Sequence, residues 1–228
     1  MESTTIKGDN EVRYIAFFDL DKTITKAISG RALARKAFSK GLLRGFRLLS
    51  ALWYGTLYRL KLADPVTVTE KMAGWVKGLP EQAITDISAE VFMETMLPSI
   101  HPEVYEELNI HKNNNARTVI LSSSITPICA AIADHLGIDD IICSSLESKD
   151  GVFTGKPVGR LCYGDEKLAR IRDYCEKYNT NVSDAWYYGD SIMDAPPLGI
   201  VGNPVCISPD KKLRKIAEEN HWRVYLWK

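Results

Sequence analysis

The sequence predicts an α/β fold: a doubly wound (Rossmann-like) parallel sheet with an α-helical unit inserted after its first strand. Three observations lead there. Short apolar runs recur along the chain without clean alternation, which is the habit of strands covered on both faces. Helical patterns stand between the later runs, as right-handed strand–helix–strand units require. And about 90 residues of helical periodicity, 27–115, separate the first run from the second, too many for a single crossover.

The elements follow in order. Met1–Asn10 is polar and has no apolar h-region, so no signal peptide is expected. Tyr14–Phe18 is the first strand. The inserted stretch is punctuated at Asp64-Pro65 and Leu79-Pro80, where helices end or begin. Within it Leu48–Tyr58 is uncharged and largely apolar, but Arg47 and Arg59 close it after 11 residues. A membrane span needs about 20. Leu49, Leu52, Trp53, Leu57 and Leu60 recur at helical spacing, so an amphipathic helix fits better, packed on its neighbours or else gripping an apolar substrate or lying on a membrane surface. Asn113-Asn114-Asn115 reads as a turn back into the sheet. Further strands are expected at Thr118–Leu121, Ile141–Cys143, Ala185–Tyr188, Val205–Ile207 and Val224–Leu226, with helices at Pro127–Leu136, Asp165–Tyr178 and Pro209–Asn220. A hairpin is expected around Asp150-Gly151. This divides the chain into a core of 11–26 and 113–228 and an insert of 27–112.

Composition narrows the function classes. At 228 residues the chain can bury about three quarters of its extended surface, enough for a core without staples. Lys plus Arg equals Asp plus Glu, 29 against 29, so there is no net basic field for nucleic acid or an anionic membrane. Five cysteines, widely spaced and with no CxxC pair, read as reduced and mostly buried thiols of a cytoplasmic protein. His101, His111, His135 and His221 show no metal-ligand spacing and read as surface or packing residues.

In α/β sheets, ligands bind beyond the carboxyl ends of the strands. After the first strand stand Asp19-Leu20-Asp21-Lys22-Thr23; after the second, Ser122-Ser123-Ser124; after Ala185–Tyr188, Gly189-Asp190-Ser191-Ile192-Met193-Asp194. Lys167 opens the helix that begins at Asp165. Four separated segments thus bring four carboxylates, hydroxyls and one ammonium to a single rim. Four clustered acids are electrostatically unfavourable unless a cation sits among them, and oxygen ligands of high charge suit Mg²⁺. Each piece alone is weak; their conjunction, in this order, is specific.

Phe17-Phe18-Asp19-Leu20-Asp21-Lys22-Thr23, Val119-Ile120-Leu121-Ser122, Lys167 and Tyr188-Gly189-Asp190-Ser191-Ile192-Met193-Asp194 resemble the four motifs of the haloacid-dehalogenase (HAD) superfamily. The helical insert after the first motif resembles the cap domain of the subfamily that includes phosphoserine phosphatases. The resemblance implies a Mg²⁺-dependent phosphatase acting on a small-molecule phosphomonoester through an aspartyl-phosphate. Asp19 is then the nucleophile and Asp21 the acid and base, reached by alternation along an extended segment. Ser122 and Lys167 grip the phosphoryl oxygens. Mg²⁺ is held by Asp19, the backbone carbonyl of Asp21, and Asp190, with Asp194 bound directly or through a water. Thr23 has either a structural hydroxyl role or a direct one. A phosphotransferase passing the phosphoryl group to an alcohol is the alternative, and a receiver-type phospho-accepting module a more distant one.

The resemblance departs from pattern in places. Phosphoserine phosphatases carry a Glu nine residues after the nucleophile; here that residue is Ile28, which pairs no ammonium and argues against phosphoserine. Met193 stands where many relatives have Asn, and Lys22 where a small residue is common, so Lys22 either lies beside the phosphate or is solvated. Lys156 competes with Lys167 as the phosphate-binding lysine, but Lys167 opens a helix, whose dipole favours anions. Arg31, Arg35, Arg44 and Arg47 read as solvated faces of the insert, or one of them binds a substrate carboxylate or second phosphate; Trp53, Tyr54 and Tyr58 would suit an apolar or amphiphilic phosphoester.

Overall fold

The structure is a computed structural model that describes residues 12–42 and 73–227. The amphipathic reading of Leu48–Tyr58, together with Arg44, Arg47, Trp53, Tyr54 and Tyr58, lies outside the described residues.

Six strands form one sheet: β1 (Tyr14–Phe18), β2 (Ala116–Ile125), β3 (Asp140–Ser144), β6 (Trp186–Gly189), β7 (Asn203–Ile207) and β8 (Arg223–Tyr225). Every neighbouring pair is parallel, in the order β3-β2-β1-β6-β7-β8. The chain winds outward from β1 to one edge, then returns to its other side through β6. The order therefore reverses between β1 and β6, and a crevice opens there beyond their carboxyl ends. A separate antiparallel hairpin pairs β4 (Leu146–Lys149) with β5 (Val152–Pro157) around Asp150-Gly151.

Non-alternating apolar runs are explained by two cores. Successive residues of β1 go to opposite faces: Ala16 and Phe18 join one apolar cluster, Ile15 and Phe17 the other. Tyr188 and Tyr187 of β6 divide the same way. The first face is covered by α1 (Ser29–Ser39), α2 (Glu81–Val91), α3 (Pro102–Asn113) and α4 (Thr126–Leu136), through Leu33, Ile84, Val104 and Ile128. The second is covered by α5 (Asp165–Lys177), α6 (Ala195–Ile200) and α7 (Lys211–Glu219), through Ile171, Leu198 and Leu213. Phe18 stacks on Tyr188, ring centroids 4.3 Å apart, which locks the two strands that carry the site. Burying a side chain of this size stabilises the fold by about 2–3 kcal/mol.

Local chemistry sets the helix ends. Asp210 caps α7, its carboxylate accepting from the backbone N–H of Lys212 and Leu213. Gly137, at φ +61°, closes α4 in the left-handed conformation. Among the described residues no helix is long and apolar enough to cross a membrane.

After β1 and again before α3, two segments of the chain run side by side. Lys26 N–H donates to the Ser99 carbonyl at 2.8 Å and His101 N–H to the Ile24 carbonyl at 3.0 Å. The hairpin is tied to the segment just before α2, since Phe153 N–H donates to the Leu79 carbonyl and Gly78 N–H to that of Phe153, both at 2.9 Å.

One expectation needs correcting. Ser122-Ser123-Ser124 do not follow the second strand: β2 runs on to Ile125, with an irregularity in its pairing to β3 between Leu121 and Ile125. Ser122 and Ser124 are buried and Ser123 is exposed, the alternation of a strand covered on one face.

Candidate active site

The site is built at the crevice between β1 and β6. Asp19 directly follows β1, and its N–H donates to the Tyr188 carbonyl at 2.9 Å, continuing the β1–β6 ladder by one step. Asp190 directly follows β6. A short helical turn then brings back Asp194, which closes a capping box with Ser191: the Asp194 carboxylate accepts from Ser191 N–H at 3.3 Å and from its hydroxyl at 3.1 Å. Gly189 has to be glycine, because a Cβ there would lie 2.6 Å from the Asp194 Cβ. The result is three buried carboxylates, Asp19, Asp190 and Asp194, each offering an oxygen within 4.8 Å of the others.

Lys167 supplies the compensating charge. It is 5 % exposed and sits in the first turn of α5. Its ammonium donates to Asp19 Oδ1 at 2.8 Å, to Asp194 Oδ1 at 3.0 Å and to the Tyr187 hydroxyl at 2.8 Å. Tyr187 in turn donates to Asp194 Oδ1 at 2.7 Å. Lys156 lies exposed on β5, so of the two lysines weighed in the sequence it is Lys167 that reaches the acids.

Electrostatics single out Asp190. Burial, then the Asp194 and Asp19 charges, push it up to about 8, and among the described residues no hydrogen bond or ion pair reaches its carboxylate. Asp19 is pushed up to about 7, burial outweighing the Lys167 charge. Asp194 is held below the usual carboxylate range, the Lys167 charge and its hydrogen bonds overcoming burial. A buried acid with no partner, beside two others, is a site short of one positive charge. All three candidate ligands are hard oxygens, which fits Mg²⁺ and not a soft, thiolate-seeking metal.

Asp21 lies apart. The chain turns after β1, with Lys22 at φ +62°, so alternation along an extended segment does not carry from Asp19 to Asp21. Its carboxylate is not one of the three clustered acids. Instead it accepts two hydrogen bonds from Ser29, the first residue of α1: the backbone N–H at 2.9 Å and the hydroxyl at 3.0 Å. Burial raises its pKa and these two bonds pull it back; its charge still raises that of Asp19.

The remaining candidates are placed as follows. Ser122 is buried, its hydroxyl accepting from Ser124 N–H at 3.2 Å, which leaves its own proton free to donate. Thr23 is fully buried and its hydroxyl finds no hydrogen-bond partner among the described residues, so no structural bond accounts for it. Lys22 is exposed, yet its charge lowers the pKa of both Asp21 and Asp190, so it faces the acids from the solvent side. Ile28 is the half-buried residue before α1, and Arg31 and Arg35 are exposed on that helix. His111 is buried between Tyr14 and Tyr188, and all five cysteines are free and buried. Tyr187 and Ser29 were not singled out by sequence reasoning. Tyr187 looked like one more core residue of an apolar strand, and Ser29 like a helix start; only their tertiary partners mark them.

Comparisons with known proteins give the chain a family and a fold likeness. The haloacid dehalogenase-like hydrolase family matches residues 16–198. A probable phosphatase of Mycobacterium tuberculosis is 30% identical over 219 residues, covering 93% of this chain and 75% of that protein. A histidinol-phosphatase of Neisseria meningitidis is 27% identical over 228 residues, 95% of this chain and 100% of that one. Among solved structures, a protein of unknown function from Bordetella pertussis superposes with a TM-score of 0.83 at 22% identity, over 94% of this chain and 99% of that chain. A phosphoserine phosphatase carrying an analogue of its phospho-aspartyl intermediate superposes with a TM-score of 0.69 at 17% identity, over 90% of each chain. At such identities the structural likeness shows the fold alone. A parallel sheet that reverses order beside three buried acids and a lysine, and a family match spanning most of the chain, make this protein a phosphatase of the haloacid dehalogenase-like hydrolase family.

Proposed function

We propose that the protein is a Mg²⁺-dependent phosphatase that hydrolyses a small-molecule phosphomonoester through an aspartyl-phosphate on Asp19. The observation that carries this reading is the buried Asp19–Asp190–Asp194 group with Lys167 bonded to two of its members. Asp19 and Asp190 would hold the cation with the backbone carbonyl of Asp21, and Asp194, already engaged by Lys167, Tyr187 and Ser191, would reach it directly or through a water. A bound Mg²⁺ would draw negative charge from the phosphoryl oxygens and make phosphorus the better electrophile.

The chain's own groups do the rest. An Asp19 oxygen attacks phosphorus and the ester P–O bond breaks, while the leaving alkoxide takes the Asp21 proton. A water then attacks the phosphorus of the aspartyl-phosphate and gives its proton to Asp21, which releases inorganic phosphate and restores Asp19. Lys167 and the Ser122 hydroxyl hold the phosphoryl oxygens as their charge grows. An acid at position 21 is what makes both proton transfers available, and favours hydrolysis over storage of the phosphoryl group.

Ile28 stands beside Ser29 and carries no charge, so an ammonium-bearing substrate such as phosphoserine would find no partner there. Measuring phosphate release from phospho-amino acids, sugar phosphates, nucleotides and lipid head-group phosphates, with and without Mg²⁺, tests the reading. Multiple turnovers that stop on chelation support it. Wild-type turnover by Asp19→Asn would overturn it, and new phosphoesters formed from added alcohols would replace hydrolysis by phosphotransfer.

A further inference from the structure

Lys167 has three N–H bonds to give, and all three are committed: one to Asp19, one to Asp194 and one to Tyr187. Two of these partners, the Asp194 carboxylate and the Tyr187 hydroxyl, are tied to each other by the tyrosine's own proton at 2.7 Å. The Tyr187 ring is fully buried in the sheet's second core, packed where an apolar residue would serve. Its hydroxyl is thus the one polar atom that this core carries toward the site from β6, and both its donor and its acceptor capacity point at site residues. A buried hydroxyl is costly unless bonded, so this one has a definite task.

We propose that the Tyr187 hydroxyl is a positioning group for Lys167: by taking one ammonium N–H, and fixing Asp194 as the taker of a second, it aims the third at Asp19 Oδ1. This rests on the reading of Asp19 as the phosphoryl acceptor. A lysine side chain has four rotatable bonds and its ammonium turns freely, so a single ion pair to Asp19 would leave its direction loose. A ring fixed in β6 and a carboxylate fixed by a capping box remove that freedom. When Asp19 carries a phosphoryl group, the N–H that pointed at Oδ1 is already directed at the oxygens next to it, with no reorientation needed as charge develops.

The test is Tyr187→Phe, which keeps the ring and removes the hydroxyl. Titration calorimetry of inorganic phosphate into the Mg²⁺-loaded protein should show about tenfold weaker binding, the usual worth of a hydrogen bond made to a charged group. KM for a phosphomonoester should rise and kcat fall, while half-saturation by Mg²⁺ stays within about twofold. In a Lys167→Met background, Tyr187→Phe should weaken phosphate binding no further, because the residue it acts through is gone. Unchanged phosphate binding overturns the proposal, and so does an equal loss with and without Lys167. A shift in Mg²⁺ half-saturation in place of phosphate affinity also overturns it, since that would put the hydroxyl's action on Asp194 instead. Should Tyr187→Phe not fold by circular dichroism, 3-fluorotyrosine at position 187 keeps the shape and weakens the hydroxyl as an acceptor, giving a smaller loss in the same direction. Failure of the aspartyl-phosphate reading is seen separately, as turnover in Asp19→Asn, whatever the phosphate titration gives.

Discussion

Without a bound cation, stability should fall as pH rises, and the sign and size follow from Asp190. Its pKa is about 8 in the folded protein against 3.8 for the free group, because burial and two neighbouring acids oppose its ionisation. Between those values the folded state holds a proton that the unfolded chain has released, so the folded state binds more protons and loses stability with increasing pH. The full displacement is worth about 6 kcal/mol, at 1.36 kcal/mol per pH unit. Most of it is spent below pH 6.5, where His111, pushed down to about 4 by burial, works in the opposite direction. From pH 6.5 to 9 Asp190 alone still accounts for about 2 kcal/mol. The assay is the unfolding temperature of wild type and of Asp190→Asn in chelator, across that range. The difference cancels His111 and the Cys143 thiol, which sits near 7 through its neighbour Cys129. Asparagine cannot ionise, so the variant should gain on wild type by roughly 4–8 °C between pH 6.5 and 9. Mg²⁺ should abolish the difference by stabilising wild type at high pH, with protons released on binding. A difference that is constant with pH, or that grows toward acid, would refute the placement of Asp190 as an uncompensated buried acid.

Further outcomes follow from the same geometry. Asp19→Asn should reduce turnover below detection in a phosphate-release assay while the fold persists by circular dichroism. Ser29→Ala removes one of two hydrogen bonds to Asp21, and kcat should fall about tenfold for an alkyl phosphate but much less for p-nitrophenyl phosphate, whose leaving group needs no proton; Ser29→Thr should restore most of it. Lys167→Met leaves Asp19 and Asp194 buried without their counter-charge and should cost about 3–5 kcal/mol in denaturant unfolding, partly recovered in Mg²⁺. Gly202→Ala would place a Cβ 1.6 Å from the Ser183 carbonyl oxygen, so the loop before β7 must move and the unfolding temperature should drop by several degrees.

How much of this could be read beforehand varied with the kind of signal. The strands were legible because both faces are buried: Ile15 and Phe17 face one core, Ala16 and Phe18 the other, so the run is uniformly apolar. The end of α4 was legible, the expected helix stopping at Leu136 where Gly137 closes it, whereas the start expected at Pro209 fell before the Asp210 cap. One rule, that ligands gather beyond strand ends, drew attention to Asp19 and Asp190, and both stand directly after a strand, β1 and β6. The serine triplet was misplaced because nothing local distinguishes the last residues of a fading strand from the first of a loop. Asp21 was placed by alternation along an extended segment, and that ground fails because Lys22 takes a left-handed conformation and the segment turns.

The sequence by itself determined the alternation of strands and helices and which acids follow strand ends, because these depend on burial patterns and motifs a few residues long. Tertiary structure alone decided the partnerships. That Lys167 pairs with Asp19 and Asp194 while Asp190 stays uncompensated, that Tyr187 turns from core packing into a polar clip, and that α1 reaches Asp21 through Ser29, all depend on distances that the local sequence does not encode. Charge and hydrogen bonding act through space, and no periodicity along a chain encodes which buried group ends within 3 Å of another.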